Sequence, residues 1–511
     1  MLAKVYSYGI CGLDAYPLTI EVDVSRGLPS IAIVGLPDNA IKESKERVRA
    51  AIKNSGYAFD PQRITINLSP ADIKKEGPSF DLAIALGILA ATDQLSASAL
   101  SDYIILGELS LDGHIRGIQG ALSIAMSIPK DRYRGLILPV GNAREAAITK
   151  NLPVYPVTTL SQVVHFLSHP EGRTPFQMDK NNLLEHLNLY EIDFNDVKGQ
   201  TLVKRGLEIA AAGGHNCLLI GPPGSGKTML AKRLATILPD MTLPECLETT
   251  RIHSVVGLVP PNKGLIINRP FRSPHHTSSD VALVGGGSYP KPGEVTLSHH
   301  GILFLDELPE FGRNVLESLR QPLEDRYVTV SRAAKTIRYP AQFMLIAAMN
   351  PCPCGWYMDS KKPCHCSPLQ IQKYLSKISG PLLDRIDIHL EVPSLPSQEL
   401  LVSHSKTESS AEIKSRTTRA RNAQQERYQN TGIFTNAQMN QKQLKKFCVL
   451  KQEGQDLLKA AIDELGLSAR AHDKVLRVAR TIADLAGQEE ILTEHIAEAI
   501  QYRCLDRNRW G

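Results

Sequence analysis

The spacing of hydrophobic positions changes along this chain and predicts three regions. Up to about residue 167, strand-like runs such as residues 16–25 (YPLTIEVDVS) alternate with amphipathic helical stretches such as residues 41–56 (IKESKERVRAAIKNSG). A second α/β region extends from about residue 190 to residue 392. Beyond Pro393 the pattern is almost wholly helical, so we expect an α/β protein with a helical C-terminal region.

The length of 511 residues fits about three domains. The polar stretch SHPEGRTPFQMDKNN has the proline and glycine punctuation of a linker. We therefore expect an N-terminal α+β domain at residues 1–167, a linker at 168–190, an α/β core at 191–395 and a helical domain at 396–511.

The composition excludes several classes of protein. Hydrophobic residues make up 42% and charged residues 22%, which is typical of globular chains and not of disordered or fibrous ones. A membrane span needs about 18 consecutive apolar residues, and the longest apolar runs here are shorter, so we expect no membrane partner. The first residues, MLAKVYSYGICGLD, lack the apolar core of a secretion signal. Together with nine cysteines, an odd number, this predicts a cytoplasmic, reducing location.

The charge is only mildly basic overall, at +5, but it is uneven. Residues 414–446 hold eight cations and one acid. Such a run is usually a solvated helix face, and contact with a nucleic-acid backbone is the alternative.

A phosphate-binding loop is the strongest chemical signal. The apolar run NCLLI and the helical run MLAKRLATIL flank a G-x-x-x-x-G-K-T motif. Glycines let backbone N–H groups surround phosphate oxygens at a helix N-terminus. Lys227 would reach the β- and γ-phosphates of a nucleotide, and Thr228 would bind Mg²⁺. The motif consists of Gly221, Pro222, Pro223, Gly224, Ser225, Gly226, Lys227 and Thr228.

Two later strands end in polar residues suited to ATP hydrolysis. GILFLDE predicts a buried strand that ends at Asp306, a second Mg²⁺ ligand, and Glu307, which would polarise the attacking water. FMLIAAM is followed by Asn350, which can sense the γ-phosphate and align that water. Alone, GILFLDE would be read as a strand before a solvated acidic turn, and Asn350 as a capping residue. Because a phosphate loop is present in the same chain, we favour a catalytic role for both.

Two arginines can supply charge to a transition state. Arg385 lies in the string SGPLLDRID and Arg470 in LSAR. A guanidinium contributed by a neighbouring subunit accelerates phosphoryl transfer by about 10³–10⁵. A surface ion pair is the alternative for either side chain.

Together these motifs resemble the AAA+ ATPases. The strings DFNDVKGQ, RPFRSPHHTSS, GEVTLSHHGILFLDELPEF and ISGPLLDRIDIHLEV resemble the magnesium-chelatase-like branch, specifically the ComM/YifB family, and the resemblance extends over the whole chain. It implies a P-loop AAA+ α/β core, an α-helical lid, ATP with Mg²⁺, and a ring, expected to be a homo-hexamer. Arg385 matches the arginine finger that acts on the neighbouring subunit's ATP, and Arg470 matches the sensor-2 arginine of the lid.

The resemblance also implies a function on DNA. It predicts a motor that promotes branch migration on single-stranded and branched or junction DNA, as a helicase in recombination during natural transformation. Two insertions typical of this clade are expected, one at about residues 264–293 with Arg269 and Arg272 near its start. The other is a hairpin before Asn350 whose turn carries Arg332 and Lys335. Cations suit phosphate contact, although a solvated hairpin tip also carries them.

The N-terminal region resembles a Lon-type protease domain of the ribosomal S5 domain 2-like fold. KEGPSFD contains Ser79 at the nucleophile position, and LGELSLDGHIRGI matches the segment that leads to the catalytic lysine. Our alignment places Leu122 at that lysine, and leucine cannot act as a base. We therefore expect no peptidase activity, unless Lys74, Lys75 or Lys130 replaces the lysine.

Four cysteines form a C-x-C…C-x-C pattern directly after Asn350. Two close pairs of thiolates suit tetrahedral zinc, although C-x₂-C is the usual spacing. His365 is a possible substitute ligand, and reduced, unliganded thiols are the alternative. The four residues are Cys352, Cys354, Cys364 and Cys366.

One competing hypothesis is a chelatase-type or chaperone-type remodeller that acts on a protein or a metal-insertion partner. An ATP-dependent protease is disfavoured by Leu122.

Overall fold

A computed structural model describes residues 1–172, 174–178, 190–287, 290–332, 335–357, 359, 362–394, 407–466 and 468–503. It divides into two compact units. The first comprises Met1–Leu187 with Leu243–Ile266, and the second Asn188–Thr242 with Ile267–Gly511. None of the helices within these described ranges is long and apolar enough to cross a membrane.

The first unit is built on a seven-stranded mixed sheet in the order β3-β4-β2-β1-β5-β8-β9. Its antiparallel side pairs β1 with β2 and β2 with β4, and β5, β8 and β9 continue in parallel. The strands are β1 Leu2–Cys11, β2 Asp14–Ser25, β3 Ser30–Val34, β4 Arg63–Ser69, β5 Tyr103–Ile105, β8 Gly135–Pro139 and β9 Val154–Val157, with a small ribbon of β6 Glu108–Leu109 and β7 Ile115–Arg116. The helices are Asn39–Asn54, Asp81–Ala91, Ala97–Leu100, Ala121–Ser127, Ala143–Ala147 and Leu160–Ser168.

Two of these helices show how the sequence dictates packing. Asn39–Asn54 buries one face only, and Asp38 caps its start by accepting a 2.8 Å hydrogen bond from the Ile41 N–H. Asp81–Ala91 is buried at every position because its residues are apolar all round after the first. A Cβ on Gly87 would lie 2.7 Å from a Val22 methyl group, so glycine lets this helix approach the sheet closely.

The second unit contains a five-stranded parallel sheet in the order β11-β14-β17-β10-β18. Its strands are β10 Cys217–Ile220, β11 Phe271–Arg272, β14 Ile302–Leu305, β17 Met344–Met349 and β18 Ile388–Glu391. Two antiparallel ribbons accompany it, β12 Gly285–Gly286 with β13 Lys291–Pro292 and β15 Tyr327–Arg332 with β16 Lys335–Pro340. Its helices up to β18 are Thr201–Gly213, Lys227–Ile237, Asp280–Val284, Glu294–Leu297, Arg313–Ser318, Arg320–Asp325, Pro368–Leu375 and Gly380–Leu383. The predicted α/β class is confirmed.

The C-terminal region is helical, as predicted, and packs on the core of the second unit. Thr417 donates a 2.7 Å hydrogen bond to the Ile237 carbonyl, and Gln424 donates a 3.1 Å bond to that of Ala212. Val475 and Ile482 join the apolar core that contains the sheet. The helices are Ser410–Arg427, Gln441–Phe447, Gln452–Leu465, Ala469–Leu485 and Thr493–Gln501.

One segment of the predicted core belongs instead to the first unit. Residues Leu243–Ile266 leave the second unit earlier than the insertion expected at 264–293, and they contain the helix Leu243–Val255. From this helix, Arg251 donates a 3.0 Å hydrogen bond to the Leu13 carbonyl and forms an ion pair with Asp14. The carbonyl of Ser254 accepts a 3.0 Å hydrogen bond from the Gly120 N–H. The first unit is therefore assembled from two separate stretches of chain.

Candidate active site

The phosphate loop joins β10 to the helix Lys227–Ile237, as its motif requires. Gly224 and Gly226 have φ angles of +78° and +90°, which only glycine adopts without strain. A Cβ on Gly221 would lie 2.1 Å from the Val392 carbonyl oxygen, so the first glycine is required by close packing against the end of β18. Glycine at these three positions shapes the loop.

Lys227 and Asn350 lie 123 residues apart in sequence and meet in the structure. The Lys227 ammonium donates hydrogen bonds to the carbonyls of Gly221 at 2.7 Å and Pro222 at 2.9 Å, and to Asn350 Oδ1 at 3.1 Å. Burial lowers the pKa of Lys227. The lysine is therefore already aimed into the loop, and the amide lies beside it because β10 and β17 are parallel neighbours.

Thr228 and Asp306 also come together, at the end of β14. Thr228 Oγ1 donates a 2.6 Å hydrogen bond to Asp306 Oδ2, and the other carboxylate oxygen accepts one of 3.0 Å from the Glu307 N–H. Glu307 has a φ of +53°, an uncommon conformation for a residue with a side chain, and it turns the chain sharply after the strand. A hydroxyl and a carboxylate are the hard oxygen ligands that Mg²⁺ prefers.

His276 is a site residue that sequence reasoning did not assign. Its Nδ1 lies 3.3 Å from Glu307 Oε2. It follows β11, which is paired with β14, and this neighbouring strand brings the imidazole to the acid. The signal in the sequence was the HH dipeptide of RSPHHT, whose position after so short a strand no periodicity reveals.

The loop fits a nucleoside triphosphate. Among the residues that the structure describes, Ser225 Oγ is a buried hydroxyl without a hydrogen-bond partner. A Cβ on Gly224 would meet no atom within 4 Å, so the loop is open at that point. An unsatisfied hydroxyl beside open backbone and a buried ammonium is suited to phosphate oxygens.

The backbone of Arg385 lies at the amino ends of the parallel strands, whereas the phosphate loop lies at their carboxyl ends. The loop follows the carboxyl end of β10, whereas Arg385 precedes β18, which runs parallel to β10. Asn216, the residue before β10, donates a 2.9 Å hydrogen bond to the Arg385 carbonyl. A four-residue strand spans about 13 Å. The backbone of Arg385, the arginine-finger candidate, is therefore about one strand length away from the phosphate loop of its own chain.

Arg470 lies beside Arg385. It donates a 2.9 Å hydrogen bond to Asp384, and the nearby Arg470 charge adds to burial in lowering the pKa of Arg385. The Arg385 guanidinium forms an ion pair with Glu324. Both arginines are thus gathered at one place, away from the loop of their own chain.

The four cysteines form a compact cluster. Their sulfur atoms all lie within 4.8 Å of one another. Cys352 Sγ is 3.3 Å from that of Cys354 and 3.7 Å from that of Cys364, close to the edge of about 3.8 Å in a tetrahedron of sulfurs around zinc. Backbone N–H groups of Trp356 and His365 lower the pKa of Cys354, whereas burial raises the pKa of Cys352. The donor set fits zinc.

The cations expected to contact DNA divide into two groups. Arg332 and Lys335 are paired at the end of the β15–β16 ribbon; residues 333 and 334 lie outside the described residues. By contrast, Arg269 donates hydrogen bonds to the carbonyls of Pro239 and His300, and Arg272 forms a bidentate pair with Glu294 at 2.6 and 2.7 Å. We leave Arg269 and Arg272 out of the DNA surface because their guanidinium groups hold the fold together.

Part of the basic stretch at 414–446 is likewise engaged within its unit. Lys414 pairs with Asp240 at 2.6 Å, Arg421 donates to the Ala212 carbonyl and Arg427 pairs with Asp484. Arg419, Lys442, Lys445 and Lys446 are exposed, so contact of this stretch with a nucleic-acid backbone stays a prediction for these four side chains.

In the first unit, Leu122 is fully buried on the helix Ala121–Ser127, and its N–H donates a 2.9 Å hydrogen bond to Glu145. The Lys75 ammonium is committed to the Pro70 carbonyl, and burial lowers its pKa. An intact serine–lysine pair therefore finds no support at either position.

The whole chain matches known proteins. Three protein-family models match the chain. The family "Magnesium chelatase, subunit ChlI" matches residues 193–400, "Subunit ChlI of Mg-chelatase" matches residues 20–142, and "Magnesium chelatase, subunit ChlI C-terminal" matches residues 407–503. The chain is 45% identical to competence protein ComM of Haemophilus influenzae, over 99% of this chain and 98% of that protein. It is 46% identical to protein YifB of Salmonella typhimurium and 44% identical to that of Escherichia coli, with the same coverage.

Proposed function

This chain belongs to the ComM/YifB family of magnesium-chelatase-like AAA+ proteins, and on that premise we propose that it is a ring-forming ATPase that moves along DNA. The observation that carries the proposal is the division of the ATPase machinery between two edges of one sheet. Lys227, Thr228 and Asp306 lie at the nucleotide edge, whereas Arg385 lies at the other.

ATP hydrolysis is the core activity in this proposal. The loop of residues 221–226 and Lys227 would hold the phosphates, and Thr228 and Asp306 would hold Mg²⁺, which neutralises charge on the phosphate oxygens. Glu307 would orient and polarise the attacking water, with His276 fixing the direction of its carboxylate. Asn350, which accepts a hydrogen bond from Lys227, would register the γ-phosphate.

The arginines require a neighbour in this mechanism. Because Arg385 and Arg470 lie together and away from their own loop, both would approach the nucleotide of an adjacent subunit. Each active site is then complete only at a subunit boundary, which favours a closed ring; we propose the homo-hexamer that the family resemblance implies.

DNA is the proposed track. The β15–β16 ribbon immediately precedes β17, the strand that Asn350 follows, so β16 and β17 connect the tip of the ribbon to the nucleotide sensor. Arg332 and Lys335 at that tip would contact the phosphate backbone. The name of the Haemophilus relative, competence protein ComM, supports a substrate of incoming DNA, and we propose branch migration on single-stranded and junction DNA during recombination. We also propose that the four cysteines bind zinc.

A remodeller of the chelatase type is the second candidate, favoured by the family models that match the chain. ATP turnover measured without DNA and with single-stranded, duplex and four-way-junction DNA separates the two. The DNA motor requires stimulation, greatest with the junction. Turnover that is indifferent to every DNA would favour the remodeller.

A further inference from the structure

We propose that the metal held by the four cysteines is a brace of the nucleotide pocket, fixing the phosphate loop and Asn350 against each other. The inference rests on the proposed ATPase function and adds a role for the metal within it. A soft divalent cation, zinc, is the metal that a set of four thiolates selects.

The first connection runs through the chain itself. Strand β17 ends at Met349, Asn350 follows, and Cys352 is only two residues further on. Cys352 is fully buried, and its sulfur lies in the cluster. A metal that fixes Cys352 therefore restricts Asn350, the residue whose amide oxygen is 3.1 Å from the Lys227 ammonium.

The second connection is a contact with the phosphate loop. Gly355 turns the chain between the cysteines with a φ of +83°, and its N–H donates a 3.0 Å hydrogen bond to the Cys352 carbonyl. A Cβ at this glycine would lie 2.5 Å from Pro223 Cδ and 2.8 Å from its Cγ. The turn thus packs directly on a proline of the loop, at a distance that leaves no room for a side chain.

The third connection returns from the other pair of cysteines. Ser367, next to Cys366, caps the helix Pro368–Leu375 by accepting a 3.3 Å hydrogen bond from the Gln370 N–H. This helix carries Tyr374, which is buried; burial raises the pKa of its hydroxyl, and the nearby backbone N–H of Asn350 opposes that rise. The metal would therefore hold together the stretch of chain from Cys352 to Cys366. This stretch starts just after Asn350, and the helix that follows it brings Tyr374 back near Asn350.

Through these contacts the metal would support both sides of the nucleotide pocket, namely the phosphate loop and Asn350. Without it, the turn at Gly355 would be held mainly by short-range hydrogen bonds, and Pro223 would lose its packing partner. The positions of Lys227 and Asn350 relative to each other would then vary, so nucleotide affinity should depend on metal content.

The test uses the full-length protein, with zinc measured by elemental analysis and affinity by a fluorescent ATP analogue. Cys354→Ser with Cys364→Ser should lose the zinc and bind the analogue about 10-fold or more weakly, as changes in the shell around a functional site commonly do. Gly355→Ala should keep the zinc and still lose affinity, because the added methyl group meets Pro223. This second variant keeps the test decisive if the cysteine variant fails to fold.

Gly432→Ala is the matched control. Gly432 also has a positive φ, +74°, but a Cβ there meets nothing within 4 Å, so this variant should retain both zinc and affinity. Thermal unfolding of each variant reports whether it is folded.

The inference is overturned if purified protein contains no zinc, or if Gly355→Ala binds zinc and ATP as tightly as the wild type. It is also overturned if a folded, zinc-free protein keeps full affinity. Failure of zinc-loaded wild type to bind ATP would instead remove the proposed ATPase function, and the brace with it.

Discussion

Arg470 donates a 2.9 Å hydrogen bond to Asp384, the residue that immediately precedes Arg385. The pair joins the helical C-terminal region to the amino edge of the parallel sheet, where β18 begins. A nucleotide would bind at the other edge, after β10. We therefore expect Arg470 and Arg385 to act as one group on the nucleotide of a neighbouring subunit.

Mixed assemblies can test this placement. Lys227→Ala should lack nucleotide binding, and Arg385→Ala should bind ATP without hydrolysing it. When the two inactive proteins are mixed, some boundaries pair an intact loop from one with an intact arginine from the other. ATP turnover should reappear in the mixture, and the same rescue is expected for Lys227→Ala mixed with Arg470→Ala.

Rescue depends on exchange of subunits, so each variant alone and a mixture of Lys227→Ala with Thr228→Ala serve as controls. The last pair damages one loop in two ways and should remain inactive. Rescue of Arg385→Ala without rescue of Arg470→Ala would place the lid arginine at its own nucleotide and contradict the grouping.

Glu307 should be required for hydrolysis and dispensable for binding. Loss of a general base costs about 10²–10⁴ in rate, so Glu307→Gln should retain ATP in an assembled ring with turnover reduced to that extent. Turnover assays and the nucleotide retained after gel filtration measure both effects. Glu310→Gln is the control, since Glu310 lies close by and pairs with Lys377 at 3.3 Å. Normal turnover in Glu307→Gln would refute the assignment.

The sequence allowed the fold class and the nucleotide motifs to be predicted because each depends on local pattern. A strand, a glycine-rich turn and a helix follow one another around Lys227, and an apolar strand precedes Asp306. Their meeting follows from parallel strand order, which the five-stranded sheet supplies. The contact of Gly355 with Pro223 depends on the path of a loop, and no periodic pattern encodes it.

Cations were harder to interpret because the sequence does not show what they face. Arg269 and Arg272 are cations of the kind found in DNA-binding segments. Their partners, however, are backbone carbonyls and Glu294 from elsewhere in the unit. His276 was overlooked for the reverse reason. Its partner Glu307 is 31 positions away and is reached only through strand pairing.

Stability of the first unit should depend on a buried ion pair. Arg47 donates hydrogen bonds to Asp81 at 2.9 and 3.3 Å, and burial raises the pKa of Asp81 from 3.8 to about 6, although Arg47 opposes that rise. Because the folded-state pKa lies above the unfolded one, this group favours folding increasingly as pH falls from about 7 toward 4. Arg47→Leu leaves the carboxylate unpaired and should cost about 3 kcal/mol near neutral pH.

The loss should be smaller in acid, since the protonated carboxyl needs no cation. Thermal unfolding at about pH 7.5 and about pH 5 measures the difference. Arg49→Leu, an exposed position on the same helix, should show little effect at either pH. An equal loss for Arg47→Leu at both values would exclude the ionised pair as the cause.

The β15–β16 ribbon should couple DNA to ATP turnover. Arg332 and Lys335 are opposed at its end, so Arg332→Ala with Lys335→Ala removes two cations from one place. We expect stimulation by junction DNA to disappear while hydrolysis without DNA persists. Because each phosphate contact contributes about one unit to the salt dependence of binding, the slope of log affinity against log salt should fall by about two.

The matched control is Lys442→Ala with Lys445→Ala, which removes two exposed cations from the helix Gln441–Phe447. Stimulation should survive there, because that helix is remote in sequence from the strand that ends at Asn350. If the lid variant loses stimulation and the ribbon variant retains it, DNA contacts the lid and the ribbon assignment is wrong. If the ribbon variant binds DNA with an unchanged salt slope, its two cations do not touch the phosphate backbone.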